Sequence, residues 1–361
     1  MKMIFFISVV FGIASISSCD NTANNNMLVQ VRDTFKLPGI PSGKTVHFNA
    51  GNVYYQSMDE PGRETFKCFS LQHNKLVWSK NINQMGINEG AITATGEYVV
   101  PTLSDTVYLI AADGNARVLK LEYRCKINPL VYKNTFILQD RGVGLKCFDA
   151  KTLQQLWLIK QQSSFTMSQP LLLDSNLIYI LDDNSIQSSN VTNGKLNWRI
   201  PVTDTFALYD LYGKSKDLVF ILSTNLKREK QLTAINYENG NLLWQVVVDS
   251  TVNELERDMI VTNSSIFCRG DSSIFSYSVQ DGSRLRKYDY KSRVATNLIA
   301  DKSGNILFGL DDKTLMKIDD KGSDILTTSF EDKLNRLYCF NDSIYLYSYP
   351  NLFLMKLPSR N

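Results

Sequence analysis

Seven positions, spaced almost evenly along the chain, restrict its fold more than any other feature. Four are tryptophans in a shared local frame: Lys75-Leu76-Val77-Trp78, Gln154-Gln155-Leu156-Trp157, Lys195-Leu196-Asn197-Trp198 and Asn241-Leu242-Leu243-Trp244. Gly194 and Gly240 stand four residues before the last two. The same glycine frame at Gly114, Gly282 and Gly322 marks degenerate anchors at Val118, Arg286 and Leu326. Successive anchors are separated by 40, 39, 41, 46, 42 and 40 residues. A period near forty with several short strands per unit is the signature of propeller blades, none of which can bury its apolar faces without a neighbour.

The chemistry of the frame agrees with that period. Asn193-Gly194 and Asn239-Gly240 are turn dipeptides, because glycine takes the positive φ that tight hairpins require. They are placed between the third and fourth strands of a blade. Ten residues before each anchor stand Cys68, Tyr108, Cys147, Ser188, Ala234, Ser276 and Met316. Five of these are small, which predicts close packing of a strand on the next blade. Each anchor tryptophan is then expected in an inter-blade seam, where a large ring buries most apolar area. The alternative role, a stacking platform for a ligand, fits less well because the position repeats with the structure.

Alternating apolar segments such as Asn305 to Leu310 recur, aromatics are plentiful (17 Tyr, 18 Phe against 9 Pro), and no long helical period is present. The chain reads as all-β. Both ends bear on the blade count. Leu352 to Leu357 matches the third-strand segment Thr314 to Ile318, after which an eighth blade lacks its outer strand. Met27 to Val31 resembles the fourth-strand segment Leu242 to Val246 and can supply that strand, closing the ring without an unpaired blade. Eight four-stranded blades over residues 27–361 are predicted, with seven as the alternative.

The amino-terminal residues predict a location. Lys2 precedes an apolar run from Met3 to Ile16, too short to span a bilayer comfortably as a helix, so residues 1–18 read as a signal peptide. The run ends in Ile16-Ser17-Ser18-Cys19, which resembles the bacterial lipobox. That resemblance implies lipid attachment at Cys19; ordinary secretory cleavage nearby is the alternative. Residues 19–26 are polar and read as a tether between lipid and domain. Asp20 behind the cysteine bears on inner or outer membrane by rules that differ between bacteria.

The Asn-Gly-Lys-Leu-x-Trp unit at 193–198 and the Glu-Asn-Gly-Asn-Leu-Leu-Trp unit at 238–244 resemble PQQ-type propeller repeats, and Phe148 to Thr152 and Ala234 to Asn236 carry further parts of that pattern. The resemblance runs patchily from about residue 27 to 357. It implies one of two classes: quinoprotein dehydrogenases, or cofactor-free scaffolds such as the propeller lipoprotein of the outer-membrane barrel assembly machinery. In length, anchor and blade number the chain is similar to the second.

Residue by residue, a catalytic reading finds little to hold. No two cysteines are adjacent, as a quinoprotein cysteine pair requires, and the acidic pairs Asp182-Asp183 and Asp311-Asp312 follow strands at matching places, as hairpin turns do. Only His47 and His73 are present, not at metal-ligand spacing, and neither a nucleophile elbow nor a P-loop occurs. Five cysteines follow Cys19: Cys68, Cys125, Cys147, Cys268 and Cys339. They lie in apolar strand contexts and read as buried free thiols. Removing residues 1–18 takes only Lys2 from 39 basic residues, leaving 38 against 36 acidic, which is no electrostatic footprint for nucleic acid. The run Lys227-Arg228-Glu229-Lys230 reads as a solvated hairpin tip, with a partner or anionic-surface contact as the alternative. The Asn-x-Ser/Thr sequons at Asn190, Asn263 and Asn341 carry no weight behind a bacterial lipobox.

The expected function is a non-catalytic, membrane-tethered scaffold that binds other envelope proteins and needs no cofactor or metal, with outer-membrane protein assembly as its sharpest form. A small-ligand or glycan-binding lipoprotein is the alternative, and a degenerate quinoprotein dehydrogenase comes third. An apolar exposed rim would favour the first, exposed aromatics inside the central mouth the second, and a carboxylate-lined funnel the third.

Overall fold

Short strands that alternate apolar and polar residues and are joined by tight turns pair with their sequence neighbours, and eight such sheets follow one another along the chain. The computed structural model describes residues 30–38, 40–41, 46–60, 63–81, 90–160, 169–181, 185–201, 205–215, 217–252, 259–319, 324–340, 343–349 and 351–356. Blade 1 spans Ile40 to Asn81, blade 2 Ala91 to Lys120, blade 3 Leu130 to Lys160 and blade 4 Leu171 to Pro201. Blade 5 spans Thr205 to Val247, blade 6 Met259 to Asp289, blade 7 Ile299 to Ser329 and blade 8 Arg336 to Lys356. Each is an antiparallel meander from an inner to an outer strand, and together they form an eight-bladed β-propeller.

The eighth blade receives its outer strand from the other end of the chain. Gln30–Lys36 pairs antiparallel with Asn351–Lys356, in register from Gln30 opposite Lys356 to Lys36 opposite Asn351. The amino-terminal segment thereby completes the last blade, and main-chain hydrogen bonds between the two ends of the chain close the ring. The 46-residue spacing in blade 5 comes from long strands, Thr205–Ser215 and Leu218–Asn225.

The anchor tryptophans hold successive blades together. The indole N–H of Trp78 donates to Ala112 O (3.0 Å), that of Trp157 to Val191 O (2.9 Å), that of Trp198 to Tyr237 O (3.0 Å) and that of Trp244 to Val279 O (3.1 Å). Every acceptor lies at the same place in the following blade. Two positions on from Ala112, and three on from each of the other acceptors, comes a glycine at positive φ: Gly114, Gly194, Gly240 and Gly282. A Cβ on Gly282 would stand 2.7 Å from the Trp244 ring and one on Gly194 3.1 Å from that of Trp157. Glycine is required twice there, by the backbone conformation and by the ring lying on it. Gly322 lies outside the described residues.

At the seam between blades 2 and 3 neither the tryptophan nor the glycine is present. Blade 2 carries Val118 at its anchor, and blade 3 has Leu153 at the turn position, at φ 61°. This seam is closed by Arg117, one residue before the anchor. Its guanidinium donates to Ala150 O (2.5 Å) and Lys151 O (2.6 Å) and pairs with Glu97. Ala150 O corresponds to the carbonyl that accepts an indole N–H at four other seams. Asn74 at φ 47° takes the glycine position in blade 1, which follows the tryptophan-free strand Gln30–Lys36.

One blade departs from the common pairing, and one expectation needs correction. The small position lies across the hairpin from the anchor in six blades, Cys68 opposite Trp78 and Cys147 opposite Trp157 among them, but Met316 pairs with Thr327. Blade 7 has a hairpin one residue shorter, so Lys317 faces Leu326 instead. Of the five cysteines, Cys68, Cys125, Cys147 and Cys268 are buried free thiols, whereas Cys339 is exposed.

The buried thiols give the fold an alkaline limit. Burial pushes Cys68, Cys125 and Cys147 up to about 11 and Cys268 further, and it pushes the Tyr54 and Tyr277 phenols up to about 12. Unfolded thiols ionise near 9 while the folded ones stay protonated, so the unfolded state releases protons first. Stability from this source is complete below pH 9 and is lost as pH rises from about 9 to 11, by roughly 2–3 kcal/mol for Cys125 alone. Urea midpoints at pH 8 and pH 10.5 check this; equal midpoints contradict it.

Candidate interaction face

A four-stranded blade sends its connections to opposite ends of the propeller. Turns from first to second and from third to fourth strand emerge on one face. Turns from second to third strand and the crossings between blades emerge on the other. The first face is polar, as its Asn-Gly and Asp-Gly turns dictate: Asn236 and Asn239 carboxamides and the Asp281 carboxylate accept from turn amides. Among the described residues, exposed large apolar side chains lie either on outer strands or on loops of the second face. The loop residues are Leu103, Tyr123, Leu226 and Tyr349, between 40% and 64% exposed.

The crossing into blade 3, residues 121–129, is held at several points. Asp140, fully buried at the end of the second strand of blade 3, accepts from Glu122 N (2.9 Å), Tyr123 N (2.7 Å) and Lys146 Nζ (2.7 Å). Lys146 also pairs with Glu122 at 3.0 Å. Burial pulls the Lys146 ammonium down, but Asp140 and Glu122 outweigh it and hold the group above its ordinary value. Arg141 N donates to Arg124 O, and Gln169 accepts from Asn128 N (2.7 Å) and donates to Asn128 O (3.1 Å), tying the crossing to the next one. Backbone held at so many points presents its side chains in one arrangement.

Those side chains are Tyr123, Arg124 and Lys126, with Arg141 alongside. Arg124 and Arg141 are exposed, and no acidic group pairs with these three cations among the described residues. Partial burial and then the charges of Arg141 and Arg124 pull Lys126 below its ordinary value. Concentrated positive charge beside an exposed tyrosine favours a partner that brings carboxylates and an apolar contact.

The candidates from the sequence fall elsewhere. Trp78, Trp157, Trp198 and Trp244 occupy seams, and Cys19 and Asp182-Asp183 lie outside the described residues. Asp312 forms a turn, accepting from Ser292 Oγ (2.7 Å) and Thr314 N (3.1 Å). His47 lies on an inner strand against Tyr98, and His73 sits in a hairpin turn of the same blade. Among the described residues no three His, Cys, Asp or Glu side chains come together as a metal cluster. Lys227 to Lys230 form the tip of the blade 5 hairpin on the second face, where the Asn225 carboxamide oxygen accepts from Lys227 N and Glu229 N. Sequence reading missed Tyr123, Arg124, Lys126 and Arg141, since they come from one crossing and a neighbouring hairpin turn and lie outside the repeating anchor frame. An exposed-type Tyr-Arg pair outside any strand was the available signal.

A family model described as outer membrane protein assembly factor BamB matches residues 62–212. An uncharacterized protein of Rickettsia conorii is 23% identical over 226 residues, 56% of this chain and 54% of that protein, so the match spans about half the length of that curated relative. The crystal structure of BamB from Moraxella catarrhalis superposes with a TM-score of 0.71 at 16% identity, covering 91% of this chain and all of the other. A computationally designed protein, Ika8, superposes with a TM-score of 0.67 at 15% identity over 90% of this chain and 99% of its own. The chain is thus similar to BamB in its repeat and in its propeller architecture.

Proposed function

We propose that this protein is a non-catalytic scaffold of the bacterial cell envelope, anchored to a membrane through lipid on Cys19, that binds other proteins in outer-membrane protein assembly. The observation that carries the reading is the asymmetry of the two faces: the loop-borne apolar side chains and the unpaired cations of the blade 3 crossing share one of them. A propeller braced at its seams from blade 1 through blade 6 displays such a face without reorganising, so association costs little ordering entropy on this side. The similarity to an assembly factor supplies the class of partner. The carboxylate pair that a catalytic reading could have used, at Asp312, is engaged in turn geometry, which supports the scaffold reading.

The test is recovery of the tagged full chain from gently solubilised envelopes, with co-purifying proteins identified by mass spectrometry. Near-stoichiometric recovery of barrel-assembly components is expected. A clean preparation without partners refutes the assembly role.

A further inference from the structure

We propose that the seam between blades 4 and 5 is a binding site for a small neutral amphiphile, a ring or branched alkyl body bearing one hydroxyl or carbonyl. A cavity of about 300 Å³ lies there, between the outer strand of blade 4 (Leu196–Pro201) and the outer half of blade 5. Its walls are Ile186, Ile200, Ile221, Ile235 and Leu242, with Thr233 among them. No ionisable side chain lines it, so a charged ligand would lose hydration there without compensation.

The second observation is independent of the space. Thr233 and Ser223 are 2% and 1% exposed, and among the described residues their hydroxyls have no hydrogen-bond partner. Both belong to blade 5 and to the same sheet face: Thr233 stands opposite Ile221, and Ser223 is two residues beyond Ile221 on its strand. That face packs on blade 4, since Val219, Ile221 and Ile235 share a core cluster with Ile178, Ile186 and Trp198. Buried hydroxyls are nearly always satisfied, and an open Thr233 hydroxyl in the cavity wall, with that of Ser223 on the same sheet face, fits a guest that brings its own oxygen. Water fits less well, because it needs two to four polar partners and, apart from Thr233 and Asn241 at the turn, the side chains of the walls are hydrocarbon. Neither the interaction face nor any partner enters this inference.

Thymol, a neutral alkylphenol, is a suitable probe for the full chain, with isothermal titration and Ile and Thr methyl NMR as readouts. We expect saturable binding that shifts the Ile221 and Ile235 methyls. Filling the space with Ile221→Phe should abolish it, and Thr233→Val should weaken it about fivefold while leaving the melting temperature equal or higher. 4-Isopropylbenzoate, of similar size but charged, should bind at least about tenfold more weakly. No thymol binding at millimolar concentration, binding indifferent to both substitutions, or equal binding of the benzoate would each overturn the assignment.

Discussion

Replacing Trp157 by alanine is expected to lower the unfolding free energy by about 3–5 kcal/mol, the range for removing a large buried aromatic. The indole is 8% exposed, lies over Gly194 and donates to Val191 O at 2.9 Å. Its loss opens a cavity between blades 3 and 4 and leaves a carbonyl of the next blade without its donor. Gly194→Ala is costly for a coupled reason, since the new Cβ meets the same ring at 3.1 Å while the backbone stays at φ 70°. In the Trp157→Ala background only the backbone penalty remains, on the order of 1 kcal/mol. The double variant should therefore be more stable than the sum of the single effects implies, which chemical denaturation of all four proteins measures. Strict additivity would mean that ring and glycine do not act as one joint.

Asp140→Ala is expected to be comparably severe and to act on function as well. The substitution leaves Lys146, 8% exposed at its side chain, facing a vacated carboxylate site with only the exposed Glu122 as partner. Removing one member of a buried ion pair costs about 3–5 kcal/mol, because the remaining charge stays buried. The amides of Glu122 and Tyr123 lose their acceptor at the same time. Well below the melting temperature the variant should remain a folded propeller with a loosened 121–129 crossing, seen as faster hydrogen exchange at the Tyr123 amide and loss of co-purifying partners. Slow exchange and full partner recovery would show that the carboxylate serves stability alone.

The repeat made the architecture legible because a propeller states the same packing problem once per blade. Each tryptophan needs a glycine in the next unit, and this dependence writes itself into the spacing of Trp78, Gly114, Trp157, Gly194, Trp198, Gly240, Trp244 and Gly282. The exceptions were harder to read. Val118 occupies the anchor position, yet Arg117 closes that seam, since a guanidinium can reach the carbonyl that an indole N–H otherwise meets. The shifted register at Met316 has no sequence signal, because a one-residue shortening of a hairpin changes the pairing partner without altering the glycine frame. The rim of Leu103, Tyr123, Leu226 and Tyr349 left no periodic trace. These residues come from four blades and meet on one face only after the ring has closed.

The central claim is that one face of the propeller binds protein partners and the other does not. Co-purification of the full chain from solubilised envelopes should be run with two charge-changing variants of equal size, Arg124→Glu with Arg141→Glu on the crossing into blade 3, and Lys151→Glu with Lys195→Glu on the turns of the opposite face. The account predicts that the first pair strips the partners from a folded protein while the second leaves their recovery unchanged. Equal recovery with both pairs, or loss confined to the second, would contradict it.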